Sequence, residues 1–160
     1  MVRSKLEYCS SVWCPSQKYL ITKLERVQKR LIKWLCFRDR IPYESDDYID
    51  MCHNYGLQTL ENRRKITDLC NLNKVFNNNI NCSYLVSNIS LNVPDNRRRR
   101  RYPDRQAPQR PRLLSDNSRL NIRKDTFIPR VVSLVSEHDD LNIFESDKLV
   151  FKRHVLSMYQ

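Results

Sequence analysis

Residues 16–36 read SQKYLITKLERVQKRLIKWLC, and this stretch decides the fold class. Leu20, Leu24, Val27, Leu31 and Leu35 recur at intervals of three or four, the period of one face of an α-helix, and Ile21, Ile32 and Trp34 widen that stripe. Lys23, Arg26, Lys29, Arg30 and Lys33 fill the remaining surface. Glu25 stands four residues before Lys29, an arrangement that supports an isolated helix by only about 0.2–0.5 kcal/mol and leaves the surplus cations unneutralised. The expectation is a helix over Ser16–Cys36 with one face built to pack and a basic face turned toward anions or water.

Outward from this helix, breakers punctuate the chain. Val2, Leu6, Cys9 and Trp13 have helical spacing and stop before Pro15, whose ring disfavours helix at Cys14. Ile41-Pro42 breaks the chain again. Ser45 then opens a third helix as its N-cap, with Asp46 and Asp47 favoured by the dipole, and Gly56 ends it near Tyr55 as a left-handed terminator. A fourth helix over Leu60–Asn77 carries Ile66, Leu69, Cys70, Leu72, Val75 and Phe76 on a wide apolar face, fitted to bury against the basic helix. Arg63, Arg64 and Lys65 in its first turn oppose the dipole, at about 0.3–1 kcal/mol each if exposed. Two readings follow: a local anion, or neutralisation by Glu61 or Asp68.

Beyond an Asn-rich turn over Asn77–Asn81, Ser83–Ile89 is a short apolar segment. Arg119–Arg123 alternates as a short strand does, and Ile128–Glu137 and Ser146–Met158 read as helices, the last with Leu149, Val150, Val155 and Leu156 apolar. Between them, Pro94, Pro103, Pro108 and Pro111 preclude a long helix. Arg97, Arg98, Arg99, Arg100 and Arg101 run consecutively there, followed by Arg105, Arg110 and Arg112. Such a stretch is an exposed arm. The planar guanidinium fork suits phosphate, and Tyr102 offers a ring for stacking on an unpaired base. A localisation patch and a merely solvated linker are the other readings of the run. The predicted architecture is mainly all-α: a helical bundle over 1–92, an Arg/Pro-rich linker over 93–118 and a small C-terminal helical element over 119–160, with room for one short β-hairpin.

Composition narrows the partners. A formal charge of +11 over 160 residues points to polyanions, either phosphate backbones or anionic membranes. No run of apolar residues is long enough for a transmembrane helix, and no secretory leader is evident, so a cytoplasmic or nuclear protein with reduced thiols is expected. Cys9 and Cys14 are the closest approach to a metal pair among Cys9, Cys14, Cys36, Cys52, Cys70 and Cys82, and no compact second pair follows. A single glycine argues against a phosphate-cradling Gly-rich loop. His53, His138 and His154 have no motif context, and Glu137, Asp139 and Asp140 read as a solvated loop. No catalytic residue, metal ligand or cofactor is assigned.

Several segments together resemble one family. Val2-Arg3-Ser4-Lys5-Leu6-Glu7-Tyr8-Cys9, Val12-Trp13, Pro15 and Leu24-Glu25-Arg26-Val27-Gln28-Lys29-Arg30 resemble the region just after the polymerase palm in reverse transcriptases of non-LTR (LINE-type, jockey-like) retrotransposons. Tyr55-Gly56-Leu57, Leu60-Glu61-Asn62-Arg63-Arg64-Lys65 and Asp68-Leu69 resemble the pattern that follows. Phe127-Ile128-Pro129-Arg130 and Phe151-Lys152-Arg153 resemble its later Pro-Arg and Phe-Lys helices. The likeness is dense before Leu72 and thin between Val86 and Thr126.

The resemblance implies a thumb and post-thumb piece of an RNA-directed DNA polymerase, with the metal-binding aspartates of the palm lying before Met1. Tyr43-Glu44-Ser45-Asp46-Asp47 mimics the aspartate turn without meeting it, because no strand pattern flanks the pair. The implied job is non-catalytic binding of RNA template and primer through Lys23, Arg26, Lys29, Arg30 and Lys33, with Arg63, Arg64 and Arg97–Arg101 as auxiliaries. A catalytic part acting in trans is an implied partner. Met1 stands where the family has an internal residue, which also fits a transposon remnant. Two other classes stay open. One is a basic amphipathic segment for membranes or calmodulin, which burial of Leu24, Val27 and Leu31 would remove. The other is a domesticated or relic interaction protein without nucleic-acid binding.

Overall fold

The computed structural model describes residues 2–15, 17–44, 47–92, 112–114, 126–138 and 140–159. These form helices α1 (Val2–Glu7), α2 (Lys18–Arg38), α3 (Tyr48–Asn54), α4 (Leu60–Phe76) and α5 (Ser83–Ser87), strands β1 (Ser90–Asn92) and β2 (Arg112–Leu114), then helices α6 (Phe127–Glu137) and α7 (Lys148–Met158). The architecture is mainly all-α, as the periodicity predicts. Ser45 and Asp46, the proposed cap of the third helix, and the predicted strand over Arg119–Arg123 lie outside the described residues.

Helix α4 is the pivot. Thr59 caps it by accepting from the Asn62 N–H at 3.3 Å. Ile66, Leu69, Leu72 and Val75 are buried on it, as expected. Their partners differ from the expected ones: α4 packs chiefly against α6 and α7, and less against α2. Ile66, Leu69 and Leu72 share one apolar cluster with Val131, Leu134, Leu141, Phe151 and Val155. The compositional boundary at residues 93–118 therefore does not divide the core. Leu113, inside that stretch, is 3% exposed within the same cluster, delivered there by antiparallel pairing of Leu91 with Leu113. On α7 the core uses Phe151 and Val155, while Leu149 and Val150, expected on the apolar side, face solvent.

A second, smaller cluster joins α2 to α3 through Ile32, Cys36, Tyr48 and Cys52. Here the buried strip of α2 is corrected. The residues that disappear from solvent are Gln28, Ile32 and Cys36, whereas Val27 is 38%, Leu31 49% and Trp34 57% exposed. The physical reason is polar. Gln28 Nε2 donates to the Gln58 carbonyl at 2.8 Å, and Glu25 accepts from the Tyr48 hydroxyl at 2.5 Å and the Glu61 N–H at 3.0 Å. Two polar side chains thus sit on the packed face with their hydrogen bonds made, a pattern that periodicity of apolar residues passes over. Glu25 is engaged inward, and Lys29 lies over the Tyr48 ring at 4.8 Å. Burial and the bond to Glu25 both push the Tyr48 phenol up from its ordinary value.

Helix α1 stops at Glu7, short of the expected Trp13. Cys9 adopts a positive φ of 52°, and the Trp13 indole reaches back to donate to the Tyr8 carbonyl at 2.6 Å. The turn it forms is tied down: Asn71 Nδ2 donates to Ser11 Oγ at 2.8 Å and Arg130 to the Ser11 carbonyl at 3.0 Å.

Three helices end alike. After α3, the Gly56 N–H bonds the His53 carbonyl at 2.9 Å and the Leu57 N–H the Cys52 carbonyl at 2.7 Å, with Gly56 at φ +62°, the left-handed stop expected from sequence. The same paired bonds follow α4 around Asn78 (φ 54°) and α2 around Arg40 (φ 57°). Arg40 is the least suited of the three, because its Cβ crowds the backbone there. Arg40→Gly is expected to raise stability by about 0.5–1 kcal/mol, strain relief exceeding the glycine's added unfolded-state entropy. A urea midpoint shifted upward at unchanged slope is the readout.

Candidate nucleic-acid interface

With 3.6 residues per turn, Lys23, Arg26, Arg30 and Lys33 fall within about 80° of arc on α2, centred opposite Gln28. All four are exposed. Tyr19 and Phe37 lie along the middle of this basic stripe near its two ends, 57% and 82% exposed. Lys23 Nζ sits over the Tyr19 ring at 4.6 Å, and Arg38 over the Trp34 ring at 5.6 Å. The face therefore carries a row of four cations with an open aromatic ring at each end. Phosphates and unpaired bases need those two kinds of group.

No carboxylate of α2 faces this stripe, since Glu25 is turned toward Tyr48 and α4. At the far end Asp39 is occupied by the Arg38 guanidinium at 2.9 Å and by the Tyr55 hydroxyl at 2.9 Å. The Arg38 bond, then the Tyr55 bond, hold the Asp39 carboxyl below its ordinary range, and Tyr55 is pushed up to about 12 by desolvation and by Asp39. Among the described residues, Lys23, Arg26, Arg30 and Lys33 enter no ion pair.

Lys29 belongs to a different edge of the helix, over Tyr48, so four of the five α2 cations picked from sequence come together and one stands apart. Val27, Leu31 and Trp34 form an exposed apolar strip between the basic stripe and the buried face. Leu24 is half-buried. Burial of all three of Leu24, Val27 and Leu31 would have withdrawn this face from lipid or calmodulin, and two of them remain open.

The α4 cations are placed otherwise. Arg63 pairs with Glu7, and Lys65 pairs with Glu61 at 2.9 Å. Arg64 is 4% exposed, lies over the Trp13 ring at 5.4 Å and donates to the Leu6 carbonyl at 3.4 Å. Two of the three first-turn charges are met from within the chain, by Glu7, which was not foreseen, and by Glu61, which was. Arg97–Arg101 lie outside the described residues. Sequence reading missed Arg130, whose Nε donates to the buried Asp68 carboxylate at 2.8 Å. Its signal was the position of both residues in motifs otherwise short of a role.

Among the described residues, no helix is long and apolar enough to cross a membrane, and no three of His, Cys, Asp or Glu gather as a metal site. The chain matches no protein-family model, no curated protein and no solved structure.

Proposed function

We propose that this chain is a non-catalytic nucleic-acid-binding module, gripping RNA template and primer through the outward face of α2. The observation that carries the reading is the stripe of Lys23, Arg26, Arg30 and Lys33, in no ion pair among the described residues and flanked by the exposed rings of Tyr19 and Phe37. The resemblance to the thumb region of LINE-type reverse transcriptases supplies the substrate class, and a catalytic part in trans would supply the chemistry. Such a partnership operates in cytoplasm or nucleus.

Binding of this kind releases counterions, so affinity falls steeply with salt. Substituting Gln for all four stripe cations is expected to flatten the log–log salt slope on a primed RNA template by about 3 units, at about 0.7–0.9 for each phosphate no longer neutralised. Lys148→Gln at the exposed start of α7, outside the stripe, serves as the control and leaves the slope unchanged. An unchanged slope in the quadruple variant removes α2 from the interface.

The exposed Val27, Leu31 and Trp34 favour a second reading, a basic amphipathic surface for anionic lipid or calmodulin. Binding to anionic vesicles that exceeds binding to RNA, and that is lost on Leu31→Asp, selects it. A folded chain that binds neither is a relic or repurposed interaction protein.

A further inference from the structure

A second place in the molecule has unmet chemistry, and it is separate from the α2 face. A cavity of about 150 Å³ opens between the start of α4, α2 and α6, with Ile21, Cys14, Pro15 and Leu134 in its walls. Its charged lining comes from Glu61, Arg64, Lys65, Asp68 and Arg130. The half-exposed Lys65–Glu61 pair marks the mouth, and Arg64 and Asp68, 4% and 1% exposed, are the depth.

Two polar atoms there are buried without a hydrogen-bond partner, Arg64 Nε and Asp68 Oδ1. Lys65 is matched by Glu61, and the Asp68 carboxylate by Arg130 through its other oxygen. Arg64 makes no ion pair among the described residues, so the lining holds one surplus positive charge. Burying a polar atom without a partner is costly, and more so when the group is charged. The volume admits about five waters, and a water joining the two atoms satisfies their hydrogen bonds. Water is neutral, however, and leaves the charge of Arg64 unmatched.

The missing group must be a monoanion, must accept from the Arg64 N–H and must donate to Asp68 Oδ1. Residues 64 and 68 are one helical turn apart, with Cβ atoms about 5–6 Å from each other, so one tetrahedral group spans them. We infer that the cavity binds a hydrogen phosphate group, one oxygen accepting from Arg64 Nε and the P–O–H donating to Asp68 Oδ1. Near pH 7 a phosphate monoester retains that proton in part, its second pKa being about 6, and inorganic phosphate is present in part as its dihydrogen monoanion. The group arrives either as free phosphate or as the terminal monophosphate of a nucleotide.

Cys14 in the cavity wall provides a reporter, and the exposed Cys9 an internal reference. With the full chain, saturating inorganic phosphate is expected to slow alkylation of Cys14 about tenfold, following occupancy of the cavity, and to leave Cys9 unchanged. Sulfate at matched ionic strength has no O–H at this pH and protects weakly. Ile21→Phe, which fills the cavity from α2, abolishes protection in a folded chain, and Arg64→Lys, which keeps the charge and removes the Nε–H, weakens it. A nucleoside 5′-monophosphate that protects at lower concentration than phosphate, while the nucleoside does not, assigns the terminal monophosphate; the reverse order assigns free phosphate. Equal protection by phosphate, sulfate and chloride, or none by any, overturns the inference and leaves a water-filled cavity. Loss of the four α2 stripe cations leaves this protection intact, so failure of the nucleic-acid reading and failure of this one are distinguishable.

Discussion

Arg130→Met is expected to lower stability by about 3–5 kcal/mol, because it strands the Asp68 carboxylate in the interior. Asp68 is 1% exposed and its Oδ2 accepts from Arg130 Nε at 2.8 Å. The same guanidinium donates to the Ser11 carbonyl at 3.0 Å, so the substitution also releases the turn after α1. The pair itself need not be strongly stabilising, since desolvation of both ions offsets much of their attraction. What costs is the orphaned carboxylate. A double variant, Arg130→Met with Asp68→Leu, is therefore expected to recover most of the loss. Urea denaturation of the three proteins checks this; a single variant within 1 kcal/mol of the parent, on the order of a surface change, would show that Asp68 finds water instead.

Asn73→Ala is expected to cost about 1.5–3 kcal/mol, because the buried Ile143 carbonyl is left without a donor and the Glu145 carbonyl keeps only the one from Asn77. Asn73 is 1% exposed in the last turn of α4, and its Nδ2 donates to the Ile143 and Glu145 carbonyls, each at 2.9 Å. These bonds hold the segment between α6 and α7 against α4. Asn77 Nδ2 also reaches Glu145, at 2.9 Å, from one turn further on. Asn77→Ala removes the more exposed of these bonds and is expected to cost no more than about 1 kcal/mol. The ratio between the two variants, read from denaturation midpoints, is the informative quantity. Equal losses would mean that the loop is held at its Glu145 end alone.

The helical class was legible because the period of three to four in residues 18–38 and 60–76 is long and strong. Helix termination was legible at Gly56, where composition names the left-handed residue. It was not legible at Arg40 or Asn78, where the same backbone geometry is imposed on residues that do not announce it. The buried face of α2 was misread for a specific reason. Leu20, Val27, Leu31 and Trp34 outweigh Gln28, Ile32 and Cys36 in apolar area, yet the latter strip can hydrogen-bond its polar members to Gln58, Tyr48 and α4. Periodicity sees the apolar area and not the waiting partner. Four of the α2 cations were legible as a set since they share one helix. The Arg64–Asp68–Arg130 grouping depends on tertiary folding, with Asp68 and Arg130 62 positions apart, and no local pattern carries that.

The sharing of one core by α4, α6 and α7 also bears on how the chain emerges during synthesis. Leu69 and Leu72 are made early, but Val131, Phe151 and Val155, which cover them, follow by 59 to 86 positions. A ribosome adding about 5–20 residues per second leaves the apolar side of α4 uncovered for several seconds. The small cluster of α2 and α3 has all its members by Leu57 and can close on its own schedule. Maturation is thus expected in two stages, an early amino-terminal hairpin and a late collapse around α4, and the interval between them is when chaperones and proteases meet this protein.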